Sequence, residues 1–215
     1  MQFGQWSEEE RRRINARLVA SRGGVDMEAV PQVISNVERY RGAVFSVDDS
    51  TIALRTSDGG QTVIRRQVIR HEPSVVMLVH DVDHDQYVVE REYRIGMHAF
   101  AYGLPAGIMD GPESPETAAL RELREETGIC ANPEDIEIDH VGDFYSTEGM
   151  SEELVHVMVL HVRQWKMGAR SFDADEHVEM AWVSWKELQR MPISASNSVI
   201  AIQHEALRRL SIKNS

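Results

Sequence analysis

The stretch GIMDGPESPETAALRELREETGI, residues 107–129, decides how the rest of the chain is read. It opens as a glycine-bearing loop and continues as a short helix. Ser114 offers a hydroxyl as cap, Pro115 suits the first helical position, and Gly128 suits the C-terminal end. These signals predict a helix over residues 115–127 with Ala119, Leu120 and Leu123 as its buried stripe. The acidic residues then stand where they oppose stability. Glu122, Glu125 and Glu126 are three and four apart, so their carboxylates are neighbours on one flank of the helix. They also occupy its last two turns, the negative end of the helix dipole. Each such contact costs about 0.2–0.5 kcal/mol in a simple helix. Glu126, at the edge of the apolar stripe, adds desolvation. On the residues alone two readings stand. One is a solvated acidic face; the other is a site for a hard divalent cation, which takes oxygen ligands from one or two carboxylates together with phosphates.

Working outward, SVVMLV (74–79) and QYVVEREYRI (86–95) read as a strand pair ahead of the 107–129 stretch. Between them lies HDVDHD (80–85), with His80, Asp81, Asp83, His84 and Asp85. It could pass for a metal cluster, but its place between two apolar runs favours an Asp-rich hairpin turn. Residues 33–71 hold three β-rich runs, with Asp48-Asp49 and Ser57-Asp58-Gly59-Gly60 read as the turns between them. A domain boundary is placed near Pro73, dividing residues 1–72 from 73–215. At the start, residues 7–22 read as a helix: Ser7 and Glu10 have capping-box spacing, and Gly23-Gly24 ends the segment. Beyond residue 129, strands are expected near 135–144 and 153–162, with a short strand in VEMAWVSW (178–185) before a helix over 184–190. A last helix spans about 198–210 with Val199, Ile202, Ala206 and Leu210 on one stripe. His156 and His161 fall in strand patterns, as packed or solvent-facing residues, and Cys130 is read as core. Mixed strands and helices of this kind suggest a layered α/β/α or α+β architecture, with a small N-terminal antiparallel sheet; the fold class is taken as α+β.

Bulk properties set limits. The formal net charge of −12 over 215 residues repels phosphate backbones and argues against a nucleic-acid partner. A small phosphorylated substrate is compatible with it if cations bridge the two negative partners. No run of eighteen apolar residues occurs, so no membrane partner is expected. The N-terminus has no apolar signal core, and the lone cysteine forms no internal disulfide, which fits a cytoplasmic location.

The box segment resembles the Nudix box, G-x5-E-x7-R-E-U-x-E-E-x-G-U, where U is bulky and aliphatic. Gly107, Glu113, Arg121, Glu122, Leu123, Glu125, Glu126, Gly128 and Ile129 fill its fixed positions. The resemblance narrows to the ADP-ribose pyrophosphatases, or nucleoside diphosphate-sugar hydrolases. It is carried by VEREYR (89–94), LPAG (104–107), FYSTEGMSEELVHVMVL (144–160) and ISASNSVIAI (193–202), and it covers roughly residues 33–207. Three positions depart from that pattern: Glu148 replaces a loop proline, Glu92 a glutamine and Gly103 a glutamate. They leave the hydrolase reading intact and the base and sugar preference open.

What the resemblance implies is a Nudix α/β/α sandwich that hydrolyses ADP-ribose to AMP and ribose 5-phosphate with Mg2+, or Mn2+ in its place. Glu122, Glu125, Glu126 and the carbonyl of Ala106 are its metal positions. Arg121 orients the glutamates, and Glu153, with Glu152 beside it, is the general base. Arg94, assisted by Arg91 or Arg66, is the position for substrate phosphates. A homodimer sharing its N-terminal sheets is also implied. The alternatives are a Nudix diphosphatase of GDP-mannose, UDP-sugars or NADH, and a non-catalytic ADP-ribose sensor. Sensor domains typically lose box glutamates, and this chain keeps them.

Overall fold

The structure is a computed structural model and describes residues 7–18, 24–171 and 177–213. Contacts divide the chain into two units: residues up to His71 together with Thr147–Glu153, and Glu72–Ser146 with Leu154–Ser215. The segment 147–153 thus joins the first unit, which a split at Pro73 does not convey.

The first unit begins with helix α1 (Glu8–Asn15), capped by the Ser7–Glu10 box. It ends earlier than the capping signals suggest. Leu18 and Arg17 donate three residues back, to Asn15 and Ile14, and no helix residue is buried, so no packing extends it. The rest of the expected 7–22 helix, from residue 19, lies outside the described residues. Strands β1 (Gln32–Arg41), β2 (Phe45–Arg55) and β3 (Gln61–His71) form an antiparallel sheet in that order. Asp48 and Asp49 do not make a turn. They sit inside β2, buried, because neighbouring strands neutralise them. Asp48 accepts from Asn36 (2.7 Å) and Arg70 (3.0 Å), and Asp49 accepts from Arg65 (2.6 Å) and Arg39 (3.3 Å). The chain turns instead between β1 and β2, where the Gly42 amide donates to Phe45.

The second unit is an α/β/α sandwich. Its strands are β4 (Ser74–Asp81), β5 (Gln86–Arg94), β6 (Ala99–Gly103) and β7 (Ala106–Ile108), then β8 (Ile129–Cys130), β9 (Ile136–Tyr145), β10 (Leu154–Val162), β11 (Lys166–Met167) and β12 (Glu179–Ser184). Its helices are α2 (Pro115–Thr127), α3 (Trp185–Leu188) and α4 (Ser196–Lys213). The main sheet runs β12-β5-β4-β10-β9, with β6 on β5 and β7 on β4. β4 and β10 are parallel and central. That explains the unbroken apolar run of β4, since both its faces are covered. Val75, Met77 and Val79 pack with Ala118, Ala119 and Leu123 of α2, whereas Val76 and Leu78 pack with Leu188 and Ala201 of α3 and α4. Full burial of a side chain such as Leu123 contributes about 1.5–3 kcal/mol. Among the described residues no helix is long and apolar enough to cross a membrane.

Helix α4 buries a different line from the one its apolar residues suggest. Ser198, Ala201 and Glu205 face inward, and Leu210 is exposed. Small residues allow close approach, and the fully buried Glu205 is satisfied by the Tyr87 hydroxyl (2.6 Å) and Arg208. Next to it the HDVDHD segment is a hairpin turn between β4 and β5, with Asp81 accepting from the amides of Asp83 and His84. Arg209 holds the Asp85 carboxyl down at about 2, so it is an acceptor only. It faces His80 Nε2 at 3.1 Å, which places the proton on that nitrogen, and His161 Nδ1 then donates to His80 Nδ1 at 3.0 Å. Burial depresses both imidazoles below their usual value near 6.5. The unfolded chain therefore binds more protons than the native one below that value. The pair's contribution is complete above pH 6.5 and is lost as pH falls towards the depressed native values. The thermal midpoint is expected to drop between about pH 7.5 and 5.5, and to drop less in His161→Gln. Equal slopes in the two proteins would remove the pair from this account.

Candidate active site

Helix α2 starts and stops on local chemistry. Ser114 Oγ accepts from the Thr117 amide at 3.2 Å, Pro115 opens the first turn, and Gly128 closes the helix at φ +73 with its amide on Arg124. Ala118, Ala119 and Leu123 fix one face in the core, which presents the adjoining glutamates on a rigid element.

Glu122 and Glu126 are buried, at 8% and 4% exposure, while the Glu125 side chain is about two-fifths exposed. Glu126 Oε2 accepts from the Ala106 amide at 2.9 Å, which ties the end of α2 to the start of β7. Glu122 lies against Gly107, where a Cβ would stand 1.9 Å from its Oε1. Arg121 joins the carboxylates. Its Nη1 donates to Glu122 (2.7 Å) and Glu125 (3.0 Å), and its Nη2 donates to Glu113 (2.8 Å) and the Ile108 carbonyl (3.0 Å). Glu113 also accepts from the Asp110 amide at 2.6 Å. Arg121 pulls the Glu113 carboxyl below its ordinary range, and the same ion pairs raise the guanidinium further above neutrality. The sequence marks Glu113 only as a box position; its part in closing the loop over Arg121 is visible in the structure alone.

The donor set suits a hard cation. Among the described residues no three His, Cys, Asp or Glu side chains converge as a ready-made metal cage. Glu126 is turned to a backbone amide, and Glu122 and Glu125 share one guanidinium nitrogen. Magnesium asks for less than a cage: one or two carboxylates, with water and substrate phosphates completing its shell. Two buried carboxylates, one of them packed against Gly107, meet that requirement.

Gly107→Ala tests the close approach. The new methyl must displace the Glu122 carboxylate, which Arg121 holds in place. A shift of about 1 Å in a reacting group costs about a hundredfold in rate. A loss of kcat/KM of that order at a near-normal melting temperature is the expected result; unchanged turnover would show that Glu122 need not stay where it is.

The other residues singled out in the sequence are placed as follows. Arg94 and Arg91 lie on β5, where Arg94 pairs with Glu92 (2.9 Å) and Arg91 with Glu179 across β12 (2.5 Å). Arg66 belongs to β3 of the first unit and donates to the Arg65 carbonyl at 2.9 Å. Glu153 and Glu152 belong to the segment that joins the first unit; the Glu153 amide donates to Ser151 Oγ at 3.1 Å, and Glu152 pairs with Arg70. His156 meets Asp143 at 2.7 Å, and Cys130 is half-buried with its thiol 3.7 Å from the Gly128 carbonyl.

Comparison with known proteins places the chain in a family. The NUDIX domain family matches residues 70–201. The methanol dehydrogenase activator of Bacillus methanolicus is 29% identical over 181 residues, covering 82% of this chain and 93% of that protein. The ADP-ribose pyrophosphatase of Bacillus subtilis (strain 168) is 28% identical over 148 residues, covering 67% and 77%. A crystal structure of an ADP compounds hydrolase shares the fold, with a TM-score of 0.64 at 21% identity over 86% of this chain and 96% of that one. The matched region takes in α2, the strands it packs on and the first turn of α4, more than half of the whole. The chain belongs to the Nudix hydrolase family.

Proposed function

We propose that this protein hydrolyses the diphosphate bond of ADP-ribose, yielding AMP and ribose 5-phosphate. The observation that carries this reading is the pair of buried carboxylates, Glu122 and Glu126, on a rigid helix end that neither burial nor the helix dipole favours. Glu122, Glu126 and the Ala106 carbonyl would hold Mg2+ or Mn2+, with Glu125 beside them. A divalent cation there supplies charge neutralisation for a diphosphate and lowers the pKa of a water molecule. Arg121 keeps the carboxylates oriented between turnovers through its bonds to Glu122 and Glu125. Glu153 takes the proton as water attacks phosphorus and the bridging P–O bond breaks, leaving AMP and the sugar phosphate. Arg94 is the residue proposed for the substrate phosphates, exchanging its Glu92 partner for phosphate oxygens, with Arg91 and Arg66 as assistants. ADP-ribose is chosen on the VEREYR, LPAG and loop resemblances and on the printed activity of the Bacillus subtilis relative. A homodimer is proposed with it, supported by the exposed Val33, Ile34, Val37 and Tyr40 of β1.

A panel of ADP-ribose, GDP-mannose, UDP-glucose and NADH, each with Mg2+ and with Mn2+, tests the substrate. ADP-ribose is expected to lead in kcat/KM by about tenfold or more. A higher value for another nucleotide-sugar would move the assignment to it, within the preference that the Glu148, Glu92 and Gly103 departures leave open. Tight binding of ADP-ribose with no product in either metal would favour a sensor instead.

A further inference from the structure

Segment 147–153 is a short closed turn attached to β3 of its own unit at two places. Within it, the amides of Met150 and Ser151 both donate to the Thr147 carbonyl at 2.8 Å. The first attachment is through the backbone. The Ile69 amide donates to Met150 (2.8 Å) and the Glu152 amide to Ile69 (3.1 Å), a parallel bridge between Ile69 and Ser151. The second is through one side chain. Arg70 donates from Nε to Asp48 (3.0 Å) and from Nη1 to Glu152. Asp48 is buried inside β2 and further fixed by Asn36 (2.7 Å), whose own oxygen accepts from Ser50 (2.5 Å). Glu152 is therefore anchored to the sheet interior through a guanidinium fork.

We propose that Arg70 is a positioning residue for the reaction: by bridging Asp48 and Glu152 it fixes the turn that carries Glu153. This rests on the reading of Glu153 as the general base. Glu153 follows the anchored residue directly, so the backbone leaving Glu152 sets where its carboxylate starts. The fork is what the position needs, since one planar group reaches two carboxylates from two nitrogens. A lysine ammonium on a flexible stem keeps the charge without that geometry. The Arg70–Glu152 link is part-exposed, with side chains 39% and 42% accessible, so it steers the turn without dominating stability.

The test uses the whole 215-residue chain with ADP-ribose and Mg2+. Arg70→Lys retains a cation for the buried Asp48 and gives up the bridge; Glu152→Gln gives it up from the other end. Each is expected to lower kcat about threefold to tenfold while KM stays within about twofold. Both should speed hydrogen exchange of the amides in residues 147–153 and leave the melting temperature unchanged. The double variant should be no worse than either single one, because all three lack the same link. Unchanged kcat in the single variants, losses that multiply in the double, or wild-type exchange in the turn would overturn the proposal. Glu153→Gln, measured alongside, separates the two ideas. A near-normal kcat there sinks the base assignment itself, whereas a collapsed kcat with unaffected Arg70→Lys and Glu152→Gln sinks only the anchor.

Discussion

Glu126→Gln is expected to reduce turnover of ADP-ribose by about a thousandfold, or about 4 kcal/mol of transition-state stabilisation. The substitution keeps the shape of a buried side chain, and its amide oxygen can still accept from the Ala106 N–H at the end of β7. What it removes is one negative charge from a place that is 4% exposed and was costly to charge. The fold therefore has no reason to weaken, and removing a buried carboxylate from a helix C-terminus relieves a local conflict. The melting temperature should hold or rise while activity collapses and the Mn2+ affinity measured by calorimetry falls. Full activity in a folded Glu126→Gln protein would mean that the buried carboxylate serves packing and not chemistry.

Arg121→Met is expected to injure the fold as well as the reaction. Arg121 bonds Glu113, Glu122 and Glu125 together, and it also holds the Ile108 carbonyl. Methionine preserves the apolar stem and takes the guanidinium away from Glu113 and Glu122, both largely buried. Breaking a fully buried pair costs about 3–5 kcal/mol. With a quarter of the Arg121 side chain exposed, water screens part of that, and a loss of about 2–3 kcal/mol remains. For a chain of this size that is a fall of roughly 4–12 °C in the melting temperature. Added Mg2+ should restore some of it, because a cation replaces the missing charge. A variant as stable as the parent, with or without Mg2+, would show that the glutamates do not depend on this residue.

How much of this could be read from the chain depends on how local the causes are. The bounds of α2 follow from Ser114, Pro115 and Gly128, residues that act on their immediate neighbours, and its carboxylate trio follows from spacing alone. The buried run of β4 is likewise written in consecutive residues. Asp48-Asp49 went the other way. By propensity the pair is a turn, yet Arg65 and Arg70, 16 and 22 residues on, hold it inside a strand. No local pattern reveals a partner at that distance. The inward line of α4 was hidden for a similar reason: Glu205 looks like a surface residue until Tyr87, 118 residues earlier, supplies its hydroxyl. The bridge from Arg70 to Glu152 spans 82 residues and was equally out of reach of spacing arguments. Within the site, the sequence marked Gly107 as a fixed position, but only the structure shows that an added side chain there would displace the Glu122 carboxylate.

Diphosphate cleavage is proposed to depend on a divalent cation held by the α2 carboxylates. That dependence is tested most directly by stripping the protein of metal, adding ADP-ribose, and following products chromatographically as Mg2+ is titrated back. No cleavage is expected before Mg2+ is added, then a saturable rise with AMP and ribose 5-phosphate appearing in equal amounts. Cleavage that proceeds at full rate in the metal-free protein, or Mg2+-dependent cleavage that yields any other pair of products, would contradict it.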